Sequence, residues 1–218
     1  MVFAHNSRRK LSVEKAKEIS KAISEWKIQN KKQNFEFSSS IVNDKNWLQV
    51  HANKLRDSIE NCRPLLVGVF SDNDVDEVNE IAKSVPLDLI QLSGHEGLQL
   101  AKDMVKPTVK AIHVGDDTSA NEIRNMLSEI QNLSGILLDT KDAKMTGGTG
   151  RAFDWKIAKD LADMSTPFFL AGGLDPSNIY EAVTTVKPFA VDVSSGVETN
   201  AKKDVEKIKN FVINAKKL

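Results

Sequence analysis

The sequence has almost no cysteine, no long apolar run and no excess of charge of either sign. Its one cysteine, Cys62, cannot form an internal disulfide, which fits a reducing compartment and predicts a cytoplasmic protein. No segment approaches the roughly 18 apolar residues of a membrane-spanning helix, and we expect no signal peptide. Because 30 basic and 30 acidic side chains cancel, the composition argues against a nucleic acid or a membrane surface as partner.

The chain nevertheless contains enough apolar side chains for a folded core. They make up 40% of its 218 residues, a length that predicts a single domain spanning residues 1–218. One polar stretch without periodicity, residues 29–46, predicts a flexible insertion in that domain.

Outside this stretch, short apolar runs alternate with amphipathic segments. The apolar runs predict strands over 65–70, 87–94, 108–114, 135–140, 167–173 and 188–196. The amphipathic segments predict helices over 12–28, 47–62, 74–85, 96–105, 119–131, 154–164, 176–186 and 202–218. Continuous apolar strands are typical of a parallel sheet that is covered on both faces, so the fold class is α/β.

Such a sheet can be open and doubly wound, or it can close into an eight-stranded barrel. No predicted strand is followed by a G-x-G-x-x-G motif, so the motif that is typical of the dinucleotide-binding form of the open sheet is missing. Polar residues and glycines instead follow many strands, which favours a barrel with one functional mouth. These residues are Ser93, His113, Asp139, Gly172, Gly173, Asp192 and Ser194.

Three segments at strand ends indicate a ligand site. "GILLDT" places the carboxylate of Asp139 at the mouth, and the following "GGTG" leaves little side chain to block a ligand. "LAGGLDPSN" and "DVSSGVET" follow the last two strands and resemble phosphate loops, because backbone N–H groups at a helix start bind anions. The alternative is that these glycines only form tight turns.

Several motifs in order resemble the phosphoribosylanthranilate isomerase family. They are "LVGVFSDND", "DLIQLSGHE", "ILLDT", "GGTGRAFDW", "FFLAGGLDPSNI" and "FAVDVSSGVETN", running from residue 66 towards the C-terminus. The resemblance implies a (β/α)8 TIM barrel acting in tryptophan biosynthesis. It implies an Amadori rearrangement of N-(5-phosphoribosyl)anthranilate to 1-(2-carboxyphenylamino)-1-deoxyribulose 5-phosphate. This phosphorylated small molecule would be the partner, with no metal and no organic cofactor.

The resemblance also assigns roles to individual residues. Asp139 is the general acid, and Arg9 pairs with the anthranilate carboxylate. Asp192 either hydrogen-bonds the substrate or is a structural acid. The loop that closes over the ribose phosphate contains Gly147, Gly148 and Gly150. The residues that hold the phosphate are Gly172, Gly173, Ser194, Ser195 and Gly196.

The chain departs from the family pattern in two places. The family's first strand ends in Lys-x-Cys-Gly, whose cysteine is the general base, and no such segment is present. We therefore expect a barrel without its first βα unit and most of its second strand, with a stub at residues 1–4. Cys62 is expected on the opposite rim as a half-buried thiol. Ser93 also replaces the histidine of the family's "QLHG", and His95 has no assigned role.

Two explanations and two rival functions stay open. The 218 residues are either a fragment of an isomerase or a barrel remnant with another task. The rivals are a non-catalytic phosphate-ligand-binding barrel and another barrel enzyme such as indole-glycerol-phosphate synthase. The latter needs a lysine and a glutamate at strand ends, and Lys110 is expected to have no glutamate partner. We expect a monomer, although the sequence does not fix the oligomeric state.

Overall fold

The computed structural model describes residues 1–33, 47–115, 118–128, 133–140 and 155–217. The helices are α1 Val13–Gln29, α2 Trp47–Cys62, α3 Val75–Ser84, α4 Ala120–Ser128, α5 Lys156–Asp163, α6 Ile179–Val186 and α7 Val205–Ala215. The strands are β1 Val67–Phe70, β2 Leu89–Leu92, β3 Thr108–Val114, β4 Gly135–Thr140, β5 Phe169–Leu170, β6 Ala190–Val191, β7 Glu198–Thr199 and β8 Lys202–Lys203. Within these ranges, no helix is both long enough and apolar enough to cross a membrane.

Six strands form one sheet in chain order, from β1 to β6. The pairs β1–β2, β2–β3, β4–β5 and β5–β6 are parallel, as the apolar runs predict. The two remaining strands, β7 and β8, form a separate antiparallel pair that the sequence analysis missed. Because parallel strands end at the same edge, the residues that follow them are brought to one side of the sheet.

The first of two compact units comprises Met1–Ala111 and Ser128–Ile136. The predicted stub is present: the N–H of Phe3 donates to the carbonyl of Val69 at 2.8 Å, and Val2 forms a parallel bridge with Val69. The Phe3 ring stacks on Phe70, with 5.3 Å between the centroids, inside an apolar cluster filled by α1, α3, β1 and β2. The stub is therefore part of the core of this unit.

The second unit comprises Ile112–Leu127 and Leu137–Leu218. Its core is formed by side chains of β4, β5 and the helices α5 and α6. The fully buried members include Leu138, Leu161, Leu170 and Ile179. This packing fixes the carboxyl ends of β4, β5 and β6, and the candidate site lies on those ends. The prediction that residues 1–218 form a single domain stays a prediction.

Four predicted elements are shorter than the sequence suggests. Residues 96–105 contain only a 3₁₀ helix, Leu98–Asp103. The strands over 167–173 and 188–196 are limited to β5 and β6, which have two residues each and pair with one another. The last helix begins at Val205, because Asp204 caps the N–H groups of Glu206 and Lys207.

The remaining boundaries agree closely with the sequence predictions. The predicted helix over 47–62 is α2, and the predicted strands over 108–114 and 135–140 are β3 and β4. Ser12 caps α1 as expected, with its hydroxyl accepting from the N–H of Lys15. Of the predicted insertion, residues 34–46 lie outside the described residues, and 29–33 are the end of α1 and the turn that follows.

Candidate active site

Asp139 lies at the carboxyl end of β4, where its side chain is about 39% exposed. Its Oδ2 is 3.8 Å from Nδ1 of His113, at the end of β3. This distance is within ion-pair range but longer than a hydrogen bond. The sequence analysis placed both residues at strand ends but gave His113 no function. Because both residues end consecutive strands of the sheet, their proximity could have been predicted from the sequence.

The loop after β5 depends on its two glycines. Gly172 and Gly173 adopt φ angles of 84° and 60°, in the left-handed region that favours glycine. A Cβ placed on Gly173 would meet no atom within 4 Å, so the backbone conformation and not crowding requires glycine there. The backbone N–H groups of this turn are therefore available without a covering side chain.

The turn before α6 is closed by a carboxylate of the protein. The N–H groups of Ser177 and Asn178 donate to Oδ1 of Asp175, at 2.6 and 3.2 Å. Asn178 in turn donates its side-chain amide to the carbonyl of Gly173 at 2.9 Å. These two N–H groups, which lie just before Ile179 at the start of α6, are therefore already used by the protein.

The loop after β6 packs directly on the loop after β5. Ser194 and Ser195 are exposed, and Ser195 begins a short 3₁₀ helix, Ser195–Val197, in place of the predicted strand. A Cβ on Gly196 would collide with the carbonyl oxygen of Leu174. Glycine is therefore required at position 196 so that the two candidate phosphate loops can lie against each other.

Asp192 follows β6 and has a perturbed acidity. Burial of its carboxyl by the surrounding protein raises its pKa above the usual 3.8, although the residue as a whole stays exposed. A hydrogen bond from the N–H of Val193 and the charge of Lys203 both oppose this shift. The neutral form of Asp192 is therefore favoured by folding.

We predict that Asp192→Asn raises the Tm at pH 7. The folded-state pKa lies above the unfolded value, so the stabilising contribution is complete below about pH 3.8 and is lost as the pH rises through the folded-state pKa. The gain should be at most about 2 °C, because water screens an exposed carboxylate. Thermal unfolding at pH 3 and pH 7 checks this, and a variant that melts below wild type at pH 7 contradicts it.

The other predicted site residues are distributed as follows. Arg9 lies in the first unit, half-buried, in the turn between the stub and α1, and its backbone N–H donates to the Ser7 hydroxyl at 3.1 Å. Its pairing with a carboxylate stays a prediction. The glycines of the third predicted loop lie outside the described residues, and their roles stay predictions: Gly147, Gly148 and Gly150. Among the described residues, no group of three or more His, Cys, Asp or Glu side chains could hold a metal ion.

The expectation that Lys110 has no glutamate partner is wrong. Its Nζ is 3.1 Å from Oε2 of Glu96, and both side chains are only 5% exposed. The ammonium also donates to the carbonyls of Leu92 and Gly94, at 3.3 and 2.7 Å, which uses all three of its donors. Spacing along the chain cannot show this pair, because Glu96 lies in the loop after β2 and Lys110 in β3. The pair is locked within the protein, which is typical of a structural role.

Cys62 is the last residue of α2 and is 4% exposed, so it is more deeply buried than expected. It precedes the amino end of β1, at the opposite end of that strand from its carboxyl end. Ser93 follows β2 and accepts a hydrogen bond from the side chain of Gln91 at 3.0 Å. His95 is exposed, and its backbone N–H donates to Asp72 at 2.6 Å, which lowers the pKa of that carboxyl.

Comparison with protein families gives one match over almost the whole chain. The model of the family described as N-(5'phosphoribosyl)anthranilate (PRA) isomerase matches residues 9–214. A "Multifunctional tryptophan biosynthesis protein" of Phycomyces blakesleeanus is 36% identical over 100% of this chain, which spans 30% of that protein. The chain spans 41% of a similar tryptophan biosynthesis protein of Phytophthora nicotianae. An N-(5'-phosphoribosyl)anthranilate isomerase of Dehalococcoides mccartyi is 41% identical, over 70% of this chain and 71% of the relative.

Solved structures agree with these matches. The phosphoribosyl anthranilate isomerase of Thermotoga maritima aligns with a TM-score of 0.69 and 30% identity, over 100% of this chain and 87% of that one. A further structure of a phosphoribosyl anthranilate isomerase, in complex with reduced 1-(o-carboxyphenylamino)-1-deoxyribulose 5-phosphate, aligns with a TM-score of 0.66 and 29% identity, over 86% of its length. These alignments confirm the α/β fold of TIM-barrel type that the sequence predicted.

Proposed function

The chain belongs to the N-(5'-phosphoribosyl)anthranilate isomerase family, and from this we propose that it catalyses the isomerase step of tryptophan biosynthesis. The substrate is N-(5-phosphoribosyl)anthranilate, and the product is 1-(2-carboxyphenylamino)-1-deoxyribulose 5-phosphate. The observation that best supports this is local: one unit brings the Asp139 carboxyl, the Gly172–Gly173 turn and the Ser194–Gly196 loop to the carboxyl ends of neighbouring strands. An acid beside a phosphate site is what ring opening of a phosphorylated sugar requires.

The reaction begins with proton transfer from the Asp139 carboxyl to the ring oxygen of the ribose. The C1–O bond breaks with its electron pair going to that oxygen, while the nitrogen lone pair forms a C1=N bond. A base then removes the C2 proton, and the electrons of the C2–H bond form a C1=C2 double bond and return a lone pair to nitrogen. Protonation at C1 and loss of the C2 hydroxyl proton give the amino-ketose. The nitrogen itself is the electron sink, so the chemistry needs no organic cofactor.

The residues of the second unit divide this work. His113 lies 3.8 Å from Asp139 and is placed to orient its carboxyl; catalytic contacts are often longer without substrate and tighten when it binds. The two packed loops hold the phosphate through backbone N–H groups, which fixes the sugar relative to Asp139. In the first unit, the family resemblance gives Arg9 the role of binding the anthranilate carboxylate, for which the fork of a guanidinium is suited.

A second function is favoured by one specific observation. The chain's only cysteine is buried at the end of α2, and Ser93 stands where the family has histidine. A non-catalytic barrel that binds a phosphorylated ligand would need neither group. We further propose that the protein is cytoplasmic and that it is a monomer. Size-exclusion chromatography with light scattering would test the monomeric state.

We predict that the chain binds reduced 1-(o-carboxyphenylamino)-1-deoxyribulose 5-phosphate at micromolar concentrations, because the phosphate loops and Arg9 are retained. Calorimetric titration measures this, and ribose 5-phosphate serves as the arm that lacks the anthranilate group. No binding of either compound contradicts the proposed function. Binding without turnover, even when a thiol base is supplied, favours the binding protein.

A further inference from the structure

The loop after β6 is held by a lysine that the sequence analysis did not single out. Nζ of Lys203, in β8, donates to the carbonyl of Ser194 at 2.7 Å. The same ammonium is 3.1 Å from Oε1 of Glu198, in β7, whose side chain is only 6% exposed. The β7–β8 pair therefore folds the chain back so that a cation lies on the first residue of the candidate phosphate loop.

This hairpin requires an unfavourable backbone. Its turn contains Asn200 and Ala201, with φ angles of 50° and 62°, and alanine rarely adopts the left-handed region. Further contacts hold the hairpin in place: Lys207 donates through Nζ to the carbonyl of Glu198 at 2.8 Å, and Asp204 accepts from the Thr199 hydroxyl at 2.7 Å. The position of Lys203 is thus fixed from several sides.

Lys203 differs from the structural Lys110 in the use of its donors. The ammonium of Lys110 gives all three N–H groups to oxygens of the protein and is 5% exposed. In the part of the chain that the structure describes, the ammonium of Lys203 directs two of its three N–H groups to protein oxygens, and its side chain is 48% exposed. One N–H of a partly exposed cation is therefore left for another acceptor beside Ser194.

The electrostatics of this loop also call for a cation. Asp192 and Glu198 both carry carboxyl groups close to the loop, and two such groups would repel a phosphate dianion. Lys203 pairs with Glu198 directly, and its charge also acts on the Asp192 carboxyl, where it opposes the rise in pKa caused by burial. Lys203 therefore places a positive charge beside the loop that is proposed to bind a phosphate dianion.

We propose that Lys203 is the cation of the phosphate site: it fixes Ser194 and donates its remaining N–H to the phosphate of the bound ligand. The inference rests on the proposed function only in that the ligand is a phosphate ester. It adds a charged side chain to a site that the sequence assigned to backbone groups and hydroxyls alone.

The role of Lys203 can be tested by calorimetric titration of the 218-residue chain with ribose 5-phosphate. Ribose, which lacks the phosphate, is titrated in parallel as the control ligand. Lys203→Met should weaken ribose 5-phosphate binding about tenfold or more, as expected for a lost charge-assisted hydrogen bond. Lys203→Arg, which keeps charge and donors, should stay within about threefold of wild type. The matched control is Lys209→Met on α7, which removes the same charge from an exposed lysine paired with Glu206 and should change binding less than about twofold.

The outcomes separate this inference from the proposed function. If wild type binds ribose 5-phosphate better than ribose and Lys203→Met binds it equally well, the role of Lys203 is overturned and the phosphate loops stand. If wild type does not distinguish the two sugars, the phosphate site itself is wrong and both proposals fall. If Lys203→Met has a Tm far below that of wild type, Lys203→Gln is used instead, because glutamine can still donate to Ser194. Its binding of ribose 5-phosphate and ribose is interpreted in the same way.

Discussion

The 218-residue chain by itself should convert N-(5-phosphoribosyl)anthranilate at least about 10²-fold more slowly than the same chain given a peptide that carries the family's first strand and its Lys-x-Cys-Gly end. Loss of a positioned base costs about 10²–10⁴-fold. The only cysteine, Cys62, is buried at the end of α2 and cannot serve as that base. The peptide can pair with β6, the last strand in the sheet order, as strand-addition complexes do.

The measurement is fluorescence-detected turnover with and without the peptide. A control peptide in which the cysteine is replaced by serine separates the two effects of adding it, since it can repair the sheet but supplies no thiol. We expect the control peptide to raise stability without restoring turnover. Full activity of the chain without any peptide would mean that another group is the base, or that the isomerase assignment is wrong.

Asp139→Asn, tested in the chain supplied with the cysteine peptide, should lower kcat by at least about 10²-fold while changing KM by less than about threefold. Asparagine has nearly the shape of aspartic acid but cannot donate a proton to the ring oxygen. The loops that we propose to hold the phosphate follow β5 and β6 and not β4, so ribose 5-phosphate binding should be retained.

The matched control for this substitution is Asp160→Asn, which removes the same charge from an exposed position on α5 in the same unit. It should leave both kinetic constants close to wild type. An unchanged kcat in Asp139→Asn removes this residue from the mechanism. A loss of ribose 5-phosphate binding in the same variant would assign Asp139 to binding instead.

Local sequence signals predicted the elements that depend on local physics. The amphipathic period over 47–62 and the apolar runs at 108–114 and 135–140 coincide with α2, β3 and β4, because burial of one face or of both faces decides these segments. The run at 188–196 is equally apolar at its start, yet only Ala190–Val191 is strand. The length of this strand is limited by its partner β5, which is distant in sequence and ends at Leu170, just before the glycine turn.

The candidate site shows the same division between local and long-range information. Asp139 could be found because it ends a strand, and Gly172 and Gly173 because their spacing marks a turn. The pair of Lys110 with Glu96 could not be found, since it depends on where a loop places a carboxylate relative to the next strand. The contact of Lys203 with Ser194 was missed for a similar reason. A two-residue turn brings Lys203 back to Ser194, and no local sequence pattern predicted that turn.

The backbone contact between Gly196 and Leu174 has a consequence for engineering. At Gly196 the main chains of the two loops lie too close together to admit a side chain, so a change in one loop there must displace the other. An insertion or a bulkier residue in one loop would displace the main chain of its neighbour, and with it the N–H groups expected to face the ligand. Grafting the proposed phosphate site onto another barrel would therefore require both loops to be transplanted together, with the ends of the two strands that space them.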